Sequence, residues 1–108
     1  MNLENFGIPH SINGYTYLKS AIDLVSEDFD LVMNMVSGLY PAVANACGTT
    51  PSRVERSIRY AIEYSWNNKN PMIRSAFAYK PCNAEFIAFI SDRTRCIMHH
   101  TAIHNVFA

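Results

Sequence analysis

Arg53, Arg56 and Arg59 recur every three residues in a chain of 108, with Glu55 between the first two and Ser52 and Tyr60 at the ends of the run. Arginine presents a planar fork of N–H donors that matches guanine O6 and N7 bidentately and holds phosphate equally well. Glutamate accepts from the amino group of cytosine. Serine and tyrosine hydroxyls serve the phosphate backbone. Residues three and four apart share one side of a helix. The set therefore suits recognition of duplex DNA from a single helical face. The same pattern also describes a solvated face laced by a Glu55–Arg59 pair at i,i+4, worth only about 0.2–0.5 kcal/mol.

The helix that must present these groups is strongly two-sided. At 100° per residue, Val54, Ile58, Ala61, Ile62 and Ser65 form one face. Ser52, Arg53, Arg56, Arg59, Tyr60 and Glu63 occupy the opposite arc, and Glu55 lies at its border. Thr50 is expected to cap the helix and Pro51 to open it, and Asn67-Asn68-Lys69-Asn70-Pro71 is the clearest loop. These signals predict a helix over about 51–67.

Immediately upstream, a short helix is expected from near Pro41 through Cys47, with Gly48 as its left-handed cap. Short helix, tight turn and longer helix make a helix-turn-helix. Small Ala44 allows close approach and Val54 fills the angle, although Ile58 comes one position late for the DNA-binding version of the motif. In that motif the N-terminal end of the second helix enters the major groove.

Around this unit, Tyr15, Leu18, Ala21, Ile22 and Val25 predict a first helix over about 11–26. A second, shorter helix is expected through Phe29, Val32, Met33 and Val36, a fifth over about 72–78, and a last over about 84–98 that buries Phe86, Ile87, Phe89 and Ile90. Trp66 is expected to pack against the first or last helix. The expected fold is all-α, a compact bundle of about six helices. Residues 1–9 read as a leader or linker, 10–98 as the DNA-binding domain and 99–108 as a tail.

Apolar residues make up 49% of the chain, enough for one modest core, and charged residues 17%, too apolar a balance for disorder. The net charge is zero, but residues 1–50 carry Lys19 against Glu4, Asp23, Glu27, Asp28 and Asp30, whereas residues 51–108 carry eight basic and four acidic side chains. A local basic face can grip DNA on a neutral protein. No apolar run reaches membrane length and the first residues lack a signal-peptide pattern, so a cytoplasmic, nucleoid-associated protein is expected. Cys47, Cys82 and Cys96 are too few and odd in number for a disulfide framework and read as reduced thiols, Cys47 as a small core residue. His100 and His104 share a helical face, but two imidazoles seldom close a metal site, and no metal or other cofactor is expected. No acid–base pair, Ser-His-Asp order or phosphate-binding glycine loop suggests an enzyme.

The run Thr49-Thr50-Pro51-Ser52-Arg53-Val54-Glu55-Arg56-Ser57-Ile58-Arg59-Tyr60-Ala61-Ile62-Glu63 resembles the C-terminal effector domain of the stage zero sporulation protein A family. Gly7-Ile8-Pro9, Gly14-Tyr15-Thr16-Tyr17-Leu18, Leu39-Tyr40-Pro41 and Asn83-Ala84-Glu85-Phe86-Ile87-Ala88 match as well, and the likeness spans about 7–95. It implies a six-helix domain whose fourth helix reads a short promoter box. The positions matching Arg53, Glu55 and Arg56 approach bases, and neighbours such as Ser52 and Arg59 hold the backbone. It also implies an RNA polymerase sigma-subunit contact. One recognition helix covers few base pairs, so self-association on DNA is expected as well. The chain departs from the pattern at Tyr60, where the family has histidine, in the short connection Phe77-Ala78-Tyr79-Lys80-Pro81, and at Cys82, where the family has a threonine cap. Asn83 is expected to take over that cap. No phosphorylated receiver accompanies the domain in this chain. An alternative role is therefore a receiver-less interaction module that modulates a related regulator by heteroassociation or site competition.

Overall fold

Leu18, Ala21, Ile22 and Val25 are buried along α1 (Asn13–Glu27), as their spacing requires. The computed structural model describes residues 3–94, and these are helical with no strand. After α1 come α2 (Tyr40–Cys47), α3 (Pro51–Asn67), α4 (Pro71–Ala76) and α5 (83–94). The all-α expectation holds, with five α-helices against about six. The base-reading candidate is thus the third helix, over the residues expected of the fourth. Cys96, His99, His100, His104 and the tail 99–108 lie outside the described residues.

The missing helix is the one expected through Phe29–Val36. Asp28 accepts a bond from the amide of Asp30 and starts a 3-10 turn over Phe29–Met33, and Asn34 then leaves helical geometry. A π-helical turn comes next, over Met35–Leu39, and runs directly into α2. Pro41 supplies the reason. It donates no N–H, and its ring would clash with the carbonyl of the residue four back, Ser37. Widening the preceding turn, with Leu39 N–H bonded to Asn34 O at 3.0 Å, relieves that clash. Met33 and Val36, two of the residues that suggested the helix, are left about 80% exposed.

A second correction concerns residues 3–9, expected as a leader or linker. Leu3, Phe6 and Ile8 belong to the core, with Phe6 edge-on against Phe86 of α5 at 5.2 Å. Gly7 turns the chain at φ 69°, where a side chain would strain it. The Phe6 carbonyl accepts from the buried Ser65 hydroxyl, and the Asn70 amide donates to Asn5 O. Three apolar residues in so short a stretch give no helical or strand period, so pattern alone does not mark the segment as core.

The core lies where α1 and α2 cross the inner face of α3 and where α5 and the N-terminal segment close its far end. At one point helix backbones nearly touch. A Cβ built on Gly14, in the first turn of α1, would stand 2.3 Å from the Ser57 carbonyl oxygen and 2.7 Å from the Ala61 Cβ of α3. Backbone cannot yield as a flexible side chain can. Gly14→Ala is therefore expected to destabilise the fold by about 1–3 kcal/mol, despite alanine's better helix propensity. Urea unfolding checks this; unchanged stability would show that the two helices separate freely.

Candidate nucleic-acid interface

The unit formed by α2 and α3 arises from local chemistry. Gly48 caps α2 in the left-handed region at φ 67°, and its amide and that of Thr49 both bond to Ala44 O. The Thr50 hydroxyl accepts from Arg53 N–H at 3.3 Å, and Pro51 opens α3, as expected. Val54, Ile58, Ala61, Ile62 and Ser65 are the buried residues of α3, the same five that the helical period selects. Val43 and Ala44 of α2 are buried with them.

The opposite face carries the candidate residues together. Ser52, Arg53, Arg56, Arg59 and Tyr60 are exposed, and Glu55 is half-buried at the border. Arg59 and Glu55 form the i,i+4 pair, at 3.5 Å with both side chains solvated. Such a pair contributes little and exchanges readily for a stronger partner. Among the described residues neither Arg53 nor Arg56 has an ion-pair partner. Glu63, on the same arc, is engaged with Lys80 at 3.2 Å. The face thus offers three arginines, two of them uncommitted.

Beside Ser52 and Arg56 lies a groove of about 320 Å³ whose far wall is Val36 and Tyr40, from the π-helical turn and the start of α2. A second cleft, of about 450 Å³, separates the Glu55–Arg59–Glu63 edge of α3 from the turn leading into α5. Its floor holds a polar contact that the sequence did not announce. The Asn83 amide donates to the Tyr40 hydroxyl at 3.0 Å and to the Glu55 carbonyl at 3.2 Å. Burial pushes the Tyr40 phenol up from its ordinary value, so it stays protonated at working pH. Asn83 therefore does not cap α5, contrary to expectation. The cap residue is Cys82, whose backbone N–H donates to the Glu85 carboxylate three residues on, half of a capping box. That bond, with further bonds from Cys82 and Tyr79, holds the Glu85 carboxyl below the usual carboxylate range. The spacing of Glu85 from Cys82 is that of a capping-box partner; the competing cap residue Asn83 hid it.

Trp66 is partly buried against the core and also meets α4. The Arg74 guanidinium sits over its ring at 3.9 Å and donates to its carbonyl. Arg74 is thereby tied to the end of α3. Lys80 pairs with Glu63, and three exposed arginines lie in the first half of α3.

The family model described as "Sporulation initiation factor Spo0A C terminal" matches residues 1–94. The chain belongs to this family. It is a family of DNA-binding effector domains of a sporulation regulator, not of enzymes. The Spo0A C-terminal match includes the N-terminal segment that the structure packs into the core. Among the described residues no helix is long and apolar enough to cross a membrane.

The Spo0A-type helix-turn-helix depends on the Thr50 cap to start α3 at the right residue. Thr50→Ala is expected to lower stability by about 0.5–2 kcal/mol, and Thr50→Ser to restore most of it. Chemical denaturation of the three proteins decides; equal stability would mean that Pro51 alone starts the helix.

Proposed function

We propose that α3 lies in the major groove of duplex DNA and reads a short sequence box. Arg53, Glu55 and Arg56 address base edges, Ser52 and Arg59 hold phosphates, and Tyr60 borders the contact. The observation that carries this reading is the split of α3: five residues wholly committed to the core, and on the other side arginines exposed in its N-terminal half. A major groove about 12 Å wide admits one helix, N-terminal end foremost in helix-turn-helix proteins. The uncommitted guanidiniums of Arg53 and Arg56 suit bidentate contact with guanine. Glu55 between them suits the cytosine amino group and disfavours nearby phosphate.

Selection of bound duplexes from a random pool should enrich one box containing G·C pairs. An unenriched pool would overturn the reading. On the enriched box, Arg56→Ala should cost about 1–3 kcal/mol and relax preference at one base position. Equal losses on enriched and scrambled duplexes would remove Arg56 from base reading. Arg59→Ala should weaken binding to all sequences alike and flatten the log–log salt dependence by about one unit. An unchanged slope would leave Arg59 in its Glu55 pair and off the DNA.

A further inference from the structure

Asn83 stands at the start of α5, away from the exposed face of α3, and is 9% exposed. Its amide has two N–H donors. Both are used, one on the Tyr40 hydroxyl of α2 and one on the Glu55 carbonyl of α3. A single side chain therefore bonds both helices of the helix-turn-helix from a third element. The Glu55 carbonyl already takes the Arg59 amide in the helical pattern, and its second lone pair takes Asn83. Glu55 lies between Arg53 and Arg56, so the bond is made in the middle of the reading segment.

Apart from the Thr50 cap on the Arg53 amide, the segment is held by contacts of a different kind. Val54 and Ile58 are held by apolar burial, which is strong but non-directional. Close packing opposes a small rotation of α3 about its axis only through steric interdigitation, as at Gly14 against Ser57 and Ala61. Hydrogen bonds weaken steeply off line, so the Asn83 pair resists that rotation. Bidentate contact with a base edge tolerates errors of about 0.5 Å and 10–20° in placement, whereas phosphate contact by a long flexible side chain tolerates more.

We infer that Asn83 is a positioning residue for base reading: it sets the rotation of α3 against α2, and so governs discrimination between sequences more than the general grip on DNA. The inference rests on the proposed role of α3. It also makes α5 the element through which anything that shifts the C-terminal helix would reach the reading face.

The experiment measures affinity on the enriched box and on a scrambled duplex for the wild-type chain and for Asn83→Ala, Tyr40→Phe and Ile90→Val. Ile90 is a buried residue of α5 with no side-chain polar group, so its variant weakens packing of the same helix without touching the clamp. Asn83→Ala removes both bonds and should lose about threefold to tenfold on the enriched box, staying within about twofold on the scrambled duplex. Tyr40→Phe removes one of the two bonds and should show a smaller loss of the same kind. Ile90→Val should leave the ratio of the two affinities unchanged. The Arg59 amide, which shares the Glu55 carbonyl, supplies a direct signature: its NMR shift should move in Asn83→Ala and not in Ile90→Val.

A folded Asn83→Ala protein with an unchanged ratio overturns the inference, as does an equal loss of ratio in Ile90→Val. Should Asn83→Ala not fold, Tyr40→Phe decides in the same way. A wild-type chain without sequence preference would fail at the first measurement. That result would overturn the role of α3 itself, and the positioning role with it.

Discussion

The structure turns on the requirement that one helix be buried along one side and bare along the other. α3 supplies Val54, Ile58, Ala61, Ile62 and Ser65 to the core, and each of the larger aliphatic side chains contributes about 1.5–3 kcal/mol by leaving water. Nothing comparable holds the opposite side, so every other element is arranged around the inner one. α1 approaches so closely that only a glycine fits at position 14. α2 is joined to α3 through a turn whose left-handed residue is Gly48. The price of the arrangement is a short, irregular stretch over 28–39, where the chain must reach α2 while accommodating Pro41.

Polar side chains then tie segments far apart in sequence. The Ser65 hydroxyl holds Phe6 O, the Asn70 amide holds Asn5 O, and the Asn83 amide holds Tyr40 and Glu55. In each case at least one acceptor is a backbone carbonyl. Apolar burial decides that these elements come together; the bonds decide in which register. Asn70 is a helix cap as well as a tie, since its side-chain oxygen accepts the amides of Met72 and Ile73 to start α4.

Much of this was legible from residue order. The two faces of α3, its Thr50 cap, its Pro51 start and the Gly48 turn obey short-range rules, because helical periodicity and capping are local. The candidate residues Ser52, Arg53, Glu55, Arg56, Arg59 and Tyr60 share one surface for the same reason. The features that escaped depend on partners distant in sequence. Leu3, Phe6 and Ile8 have no period of their own and find their place only against α5. Gly14 has the look of an ordinary helix residue until Ser57 is set beside it. Asn83 has a good capping side chain, and local preference points it at its own helix; two acceptors on other helices win it instead. Phe29–Val36 shows the converse. Its apolar spacing suggests a helix, but Asp28 and Asn34 interrupt it and Pro41 distorts the turn over Met35–Leu39.

Trp66 is the single tryptophan of the chain, and it sits in the last turn of α3 with Arg74 stacked on its ring. Indole emission responds to the charge and polarity of its surroundings, and a guanidinium at 3.9 Å is a large part of those surroundings. The molecule therefore carries its own optical gauge at the junction of α3 and α4. Light absorbed there reports on one end of the helix alone, without a label and without interference from a second indole. Emission recorded beside a signal from the whole backbone would separate loosening of that junction from melting of the entire bundle.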